Sequence, residues 1–152
     1  MPSTDLAFHF NAPNKHSYAC KLLRKATAAG ARVVVLAEPA LLSRLDLELW
    51  TFSPLDFIAH VCLPCSAHAL ASSPVLLCDS LDEYGDAPVD ALISHTVLVN
   101  LTTTVPSRFT SFSRVIEVVS HDEADRQAAR ARWKHYTGLG YTITRHDLKL
   151  SA

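Results

Sequence analysis

Short apolar segments alternate with longer amphipathic segments along this chain. The apolar segments predict strands at residues 6–10, 32–37, 74–78, 95–101 and 114–119. The second of these, RVVVLA, is rich in β-branched residues and apolar on both faces, which is typical of a central strand in a parallel sheet. Strands that alternate with helices indicate βαβ units.

Two amphipathic segments between the early strands predict helices. The first helix is expected to begin at Pro13 or Asn14 and to end at Gly30, because glycine accepts the left-handed conformation that often ends a helix. The second helix is expected to begin at Pro39, since proline is favoured in a first turn. Its predicted buried stripe consists of Leu41, Leu45 and Leu49.

A third helix is predicted after the fifth strand. Ser120 and Glu123 have the spacing of a capping box at its start. Gly138 or Gly140 is expected to end it. Residues 141–148 then alternate in polarity like an edge strand.

The order of these elements predicts an α/β fold of Rossmann-like shape. We expect an open, mostly parallel twisted sheet of five or six strands with helices on both faces. The chain has 152 residues, of which 49% are hydrophobic and 19% are charged, so a single globular domain over residues 1–152 is predicted.

The chain shows neither a membrane span nor an export signal. No apolar run reaches the roughly 18 residues that cross a bilayer. The first residues, MPSTDLAFHF, have no cationic start followed by a long apolar stretch. A soluble, cytoplasmic protein without membrane contact is therefore expected.

The motifs of nucleotide binding and of hydrolysis are absent from the sequence. The chain has only four glycines, and it contains neither GxGxxG, nor GxxxxGK[ST], nor the GxSxG nucleophile elbow. We therefore predict no catalysis and no cofactor. The alternative is an enzyme of Rossmann-like shape that acts on a small molecule or a nucleotide.

One short stretch, HVCLPCSAH, contains four possible zinc ligands: His60, Cys62, Cys65 and His68. Closed zinc sites usually draw their second pair of ligands from a distant segment. We therefore interpret these side chains as ordinary loop residues and predict no metal site.

The charge is unevenly distributed along the chain. The formal net charge is -1, yet residues 33–107 contain one basic residue, Arg44, against nine acidic ones. The basic residues therefore concentrate toward the two ends. A protein that binds duplex DNA usually has a dominant basic face. This distribution instead indicates a small acidic partner, with only indirect contact to nucleic acid.

The third helix contains a basic, aromatic stretch, RQAARARWKHY, without an acid. At about 100° per residue, one arc of this helix holds Arg126, Arg130, Trp133 and Lys134. The opposite arc, which is predicted to face the core, holds Ala124, Ala128, Ala131 and His135.

The arc with the arginines predicts a receptor for a carboxylate-bearing peptide. Guanidinium groups bind carboxylates in a fork geometry, and an indole beside them offers an apolar floor. No acid is expected near these arginines to neutralise them. Two alternatives remain. Trp133 could instead fold under the arginine stems of a merely solvated face, or the arc could be a stacking platform for single-stranded DNA.

A second aromatic cluster lies at the end of the second helix, in LELWTFSPLDFIAH. Pro54 interrupts the chain there, so its own helix cannot cover all the apolar surface of Trp50, Phe52 and Phe57. These rings are predicted to contact a partner protein. The alternative is that they hold the helix against the sheet.

The chain resembles the chi subunit of the bacterial DNA polymerase III holoenzyme. It has the aromatic cluster first and the basic, aromatic helix later, within an α/β order of elements. The resemblance covers nearly the whole chain. It depends on the FHF strand, on LW followed by FIAH, on PVLL, on VLVNL with Pro106 downstream, on SRFTSFSRVIEVV, and above all on RWKHYTGLGY.

The resemblance implies an adaptor with two binding surfaces. Similar proteins bind the acidic C-terminal tail of single-stranded DNA-binding protein (SSB), which ends in phenylalanine. By resemblance, Arg130 takes the terminal carboxylate, Val119 and Trp133 line the pocket for the phenylalanine ring, and Arg126 and Lys134 attract the acidic residues. The family often has tyrosine at the position of Trp133.

The second implied surface joins chi to the rest of the clamp loader. Trp50 and Phe57 match the family's contact with the psi subunit, and related chi proteins also use this surface for a helicase. The implied partners are therefore the SSB tail and either psi or another clamp-loader or helicase protein.

Overall fold

The computed structural model describes residues 4–51, 60–62, 73–79, 95–106 and 109–148. The strands are β1 (Asp5–Ala12), β2 (Val33–Leu36), β3 (His60–Cys62), β4 (Val75–Cys78), β5 (Val97–Asn100), β6 (Arg114–Ser120) and β7 (Ile143–Asp147). The helices are α1 (Lys15–Ala28), α2 (Pro39–Thr51) and α3 (Glu123–Gly138), and a short 3-10 turn covers Phe109–Ser111.

The described strands form one seven-stranded sheet in the order β3-β4-β2-β5-β6-β1-β7. All pairs of neighbouring strands are parallel, which confirms the predicted open, mostly parallel α/β sheet. Strand β7 lies at one edge, as predicted. The prediction of five or six strands is one strand short, because β3 has only three residues and lies in a stretch that is predicted to be a loop.

Two apolar clusters cover opposite faces of the sheet. In β2, Val34 and Leu36 belong to the cluster that includes Ala129 and Tyr136 of α3. Val33 and Val35 belong to the other cluster. Its members from α1 and α2 are Ala19, Cys20, Leu23, Leu45 and Leu49. The alternation along β2 places helices on both faces, as the sequence predicted.

The ends of α1 follow the local sequence signals. Asn14 is the N-cap, and its side-chain oxygen accepts a hydrogen bond of 3.3 Å from the backbone N–H of Ser17. Gly30 follows the end of the helix with φ of +87°, the left-handed conformation that favours glycine.

The start of α3 differs from the prediction. Asp122, not Ser120, is the N-cap. The hydroxyl of Ser120 instead donates to Oδ2 of Asp125 at 2.9 Å, and the Ser120 backbone N–H donates to the same oxygen at 2.7 Å. Lys15 donates to Oδ1 of Asp125 at 3.0 Å. Asp125 therefore ties the first turn of α3 to the end of β6 and to α1.

The predicted core face of α3 was also wrong. The side chains that face the core are Asp125, Ala129, Arg132 and Tyr136, whereas Ala124, Ala131 and His135 are exposed. The true core face lies about 100° around the helix from the predicted one. The prediction failed because it treated every arginine as an outward-facing residue.

Arg132 is buried because it meets a buried carboxylate on the sheet. Its side chain is 2% exposed, and its Nε donates to Oε1 of Glu117 at 3.2 Å. The Tyr136 hydroxyl donates to Oε2 of Glu117 at 2.7 Å, and Nδ2 of Asn100 donates to Oε1 at 2.8 Å. Burial raises the pKa of Glu117, while the Arg132 charge and these hydrogen bonds oppose that shift.

On the face of β1 that points toward α1, His9 is buried and uncharged. Burial, and after it the electrostatic interaction with His146, Arg114 and Lys25, lowers the pKa of His9 to about 4. Its Nδ1 makes a hydrogen bond with the hydroxyl of Tyr18.

We expect His9 to make the fold sensitive to acid. The unfolded chain binds a proton near pH 6.5 and the folded chain only near pH 4, so stability is complete above pH 6.5 and falls between these values. The loss should be about 3 kcal/mol by pH 4. Urea unfolding from pH 7 to pH 4 measures it. His9→Phe should remove this decrease of the free energy of unfolding with falling pH, whereas His135→Gln, at an exposed position, should retain it. A slope unchanged in His9→Phe would contradict the assignment.

Candidate functional site

An open pocket of about 530 Å³ lies between α3 and the strands β1, β6 and β7, and we call it the α3 pocket. Its volume is in the range of ligand-binding cavities. The lining residues are Phe8, Phe10, Val119, Arg126, Ala129, Arg130, Trp133, Lys134 and Arg145. The structure thus brings together around one cavity all five residues that were predicted for the tail site: Val119, Arg126, Arg130, Trp133 and Lys134.

The floor of the α3 pocket is apolar and aromatic. Trp133 is partly buried, and its ring packs edge-on against Phe8 with the ring centroids 5.2 Å apart. Val119 is buried at the end of β6. Trp133 is therefore not sealed in the core, since it packs on the sheet and lines the cavity at once.

The rim of the α3 pocket is cationic and exposed. The expectation that no acid lies near these arginines was wrong, because Glu123 in the first turn of α3 reaches two of them. Oε1 of Glu123 is 3.3 Å from Nη1 of Arg130, and Oε2 is 3.8 Å from Nη1 of Arg126. The Arg130 and Glu123 side chains are 58% and 60% exposed, so these pairs contribute little and an incoming anion can displace them.

Arg145 completes the rim, and the sequence reasoning missed it. It lies on β7 directly opposite Phe8 of β1. Its guanidinium carbon is 5.4 Å from the ring centroid of Phe10 and 6.0 Å from that of Trp133. The alternation in β7 could show only that Arg145 shares a face with Ile143. That this face belongs beside β1 follows from the strand order.

The chemical character of the α3 pocket is that of a binding site. Its lining contains four aromatic or aliphatic floor residues besides Ala129, and four cationic groups. The lining contains no carboxylate, thiol, hydroxyl or imidazole, and its one amine, that of Lys134, is exposed at the rim. The arrangement can hold an anion that carries an apolar group.

The predicted partner surface at the end of α2 is only partly described. Trp50 lies in the last turn of α2, and its side chain is not among those described. Phe52 and Phe57 lie outside the described residues. The contact of these three residues with a partner stays a prediction.

The candidate metal ligands are partly described as well. His60 and Cys62 lie on β3, and Nε2 of His60 is 2.9 Å from Oδ1 of Asp46 on α2. Cys65 and His68 lie outside the described residues. Within the described ranges, no three metal-ligating side chains come together.

Among the helices of the described ranges, none has the length and apolar character that a membrane crossing requires.

Two comparisons with known proteins point to one family. The family described as DNA polymerase III chi subunit, HolC, matches residues 3–144 of this chain. The DNA polymerase III subunit chi of Pseudomonas aeruginosa is 36% identical over 131 residues, which cover 86% of this chain and 84% of that protein.

A solved structure shows the same fold in a different setting. The C-terminal domain of the DEAD-box protein Dbp5 aligns with a TM-score of 0.59 over 97% of this chain and 92% of that one. The sequence identity is 13%, so the likeness extends to the α/β fold alone.

Proposed function

Because this chain belongs to the family of DNA polymerase III chi subunits, which are non-catalytic accessory subunits, we propose that its α3 pocket binds the acidic C-terminal tail of SSB. The observation that carries the proposal is the convergence of the predicted tail residues, from β6 and α3, on one cavity. The chain then links the polymerase to single strands that SSB covers, and it contacts nucleic acid only indirectly.

The tail and the α3 pocket have complementary chemistry. A terminal phenylalanine presents one aromatic ring and one carboxylate on the same residue. The ring suits the floor between Val119 and Trp133, with Phe8 as support behind the indole. Arg130 offers a fork that can bind the carboxylate through two hydrogen bonds. Arg126 and Lys134 supply charge for the acidic residues upstream.

Titration of a labelled acidic peptide that ends in phenylalanine tests the proposal. A short tail buries little area, so we expect a micromolar dissociation constant, or about 8 kcal/mol, and weaker binding as salt increases. The same peptide with an amidated C-terminus should bind at least about tenfold more weakly. Equal affinity for both peptides would contradict recognition of the carboxylate.

A labelled oligonucleotide separates this function from direct DNA binding. If the chain is an adaptor, we expect negligible binding of the oligonucleotide to the pure chain and clear binding once SSB is added. Tight binding without SSB would favour the stacking-platform alternative for Arg130 and Trp133.

Glu123 should compete with the tail for the arginines. Glu123→Gln removes a carboxylate that lies 3.3 Å from Arg130 and 3.8 Å from Arg126. Because both pairs are exposed, we expect the tail affinity to rise only about threefold. Glu38→Gln makes the same change at an exposed position outside the α3 pocket and should leave the affinity unchanged. A decrease in affinity for Glu123→Gln would show that Glu123 helps to orient the rim.

We further propose that Trp50, Phe52 and Phe57 contact psi or another clamp-loader or helicase protein. Trp50 lies near the C-terminal end of α2, at the opposite end of the helix from Pro39. Trp50→Ala should abolish capture of purified psi without changing the tail affinity. Loss of the folded state in Trp50→Ala would instead favour the interpretation that this ring holds α2 against the sheet.

A further inference from the structure

A second pocket, of about 560 Å³, lies on the opposite face of the sheet, beside α1, and we call it the α1 pocket. Its lining residues are His9, Tyr18, Lys21, Leu22, Lys25, Ala26, Ala29, Ala31, Val97, Arg114, Ile116, His146 and Leu148. The two pockets share two strands, because alternate residues point to opposite faces. In β1, Phe8 lines the α3 pocket and His9 lines the α1 pocket. In β7, Arg145 lines the α3 pocket and His146 lines the α1 pocket.

The α1 pocket has an aliphatic floor and a cationic rim. The rim consists of Lys21, Lys25 and Arg114, which are all exposed. No carboxylate lines the pocket, and within the described part of the chain none lies within 4.0 Å of these three cationic groups. Asp5 lies opposite Arg114 on the neighbouring strand, and these two described residues form no ion pair with each other.

His9 adds a polar group that lacks a partner. It is 7% exposed, and its Nε2 has no hydrogen-bond partner among the residues that the structure describes. When the Tyr18 hydroxyl donates to Nδ1, the neutral ring carries its proton on Nε2, which is then an unsatisfied buried donor. An unsatisfied donor costs free energy, and here the ring of His146 packs on His9 with the ring centroids 4.5 Å apart. The positive charges of Lys25 and Arg114 already act on this ring.

We propose that the α1 pocket is a second receptor for an acidic peptide end of the kind assigned to the α3 pocket. The identity of the peptide rests on the proposed function, whereas the location of this second site rests on the residues of the α1 pocket. Both pockets combine a cavity of similar volume, an apolar floor, at least three cationic groups and no carboxylate in the lining. Arg114, the one guanidinium in the α1 pocket, takes the terminal carboxylate, while Lys21 and Lys25 attract the upstream acids.

Two receptors on opposite faces have a consequence for binding to SSB. An SSB oligomer carries several tails, so one chain could hold two of them. The second tail then binds at an effective concentration that the linker sets, which raises the overall affinity without any new contact. Loss of either pocket should therefore weaken binding to intact SSB more than tenfold.

Amide NMR titration with the acidic peptide tests the inference and locates each site. We expect two sets of shifts at saturation, one around the indole N–H of Trp133 and one around the amides of Ala26 and Ala29. Lys25→Gln and Arg114→Gln should each weaken the second set at least fivefold and leave the first unchanged. Ser43→Glu makes the same charge change on α2, outside both pockets, and should alter neither set.

The possible outcomes separate this inference from the proposed function. Shifts confined to the α3 pocket overturn the inference and leave the proposed function in place. Shifts around Ala26 and Ala29 in the wild-type chain, without shifts around Trp133, support the inference and overturn the assignment of the α3 pocket. No shifts at all overturn both.

Discussion

Replacement of Glu117 by leucine should lower the free energy of unfolding by about 3–5 kcal/mol, because it leaves the charge of Arg132 buried without an acceptor. Arg132 is 2% exposed, and Glu117 is fully buried at 0%. Glu117 is also the acceptor for Tyr136 and Asn100, so the substitution leaves further buried donors unpaired. Urea unfolding, followed by circular dichroism, measures the loss.

A paired replacement distinguishes the buried charge from simple loss of packing. Arg132→Met combined with Glu117→Leu removes both charges and keeps long apolar side chains in their place. We expect the double variant to recover at least half of the stability that Glu117→Leu loses, since well-packed apolar residues often replace a buried ion pair at little cost. If Glu117→Leu alone costs less than about 1 kcal/mol, Arg132 must reach solvent when Glu117 is absent.

The buried pair also bears on the α3 pocket. Arg132 directly precedes Trp133, so a contact that holds Arg132 on the sheet fixes the rotation of α3 about its axis. That rotation decides which side chains line the pocket and which face the solvent. Glu117→Leu should therefore weaken tail binding even where most of the chain stays folded, because the positions of Arg130 and Trp133 depend on it.

Local signals in the sequence were sufficient for most of the fold. The apolar run of β2, the cap at Asn14 and the left-handed Gly30 each depend on residues close in the chain, and the structure has them as predicted. The sequence also grouped Arg126, Arg130, Trp133 and Lys134 correctly, because their spacing places them on one arc wherever the helix packs.

The predictions failed where the position of a side chain depends on a residue that is distant in the sequence. Arg132 is buried because Glu117 lies fifteen residues earlier on β6, and no local pattern contains that pairing. Arg145 reaches the α3 pocket because β7 pairs with β1 in a register that sets it opposite Phe8. The spacing of Glu123 from Ser120 predicts a capping residue and gives no sign of its contacts with Arg126 and Arg130. Each case requires knowledge of which elements are neighbours in space.

Reversal of the charge at Arg130 should have the largest effect on tail binding. Arg130→Glu removes the proposed carboxylate ligand and places a negative group in the rim, so we expect the affinity to fall at least a hundredfold, or about 3 kcal/mol. Arg130→Ala, which only removes the ligand, should cost about 2 kcal/mol. The side chain is 58% exposed, so neither change should alter the unfolding transition by much.

Two milder variants show which property of the α3 pocket matters. Arg130→Lys keeps the charge but loses the planar fork of the guanidinium. If the carboxylate is bound through two hydrogen bonds, the tail affinity of Arg130→Lys should lie between those of the wild type and Arg130→Ala. Trp133→Tyr keeps an aromatic floor and should bind within about threefold of the wild type. Fluorescence anisotropy with the labelled tail peptide ranks all four variants, each made in a Lys25→Gln, Arg114→Gln background that weakens the α1 pocket. If Arg130→Glu binds as tightly as the wild type while Lys134→Glu does not, the carboxylate lies nearer to Lys134, and the tail crosses α3 in the opposite direction.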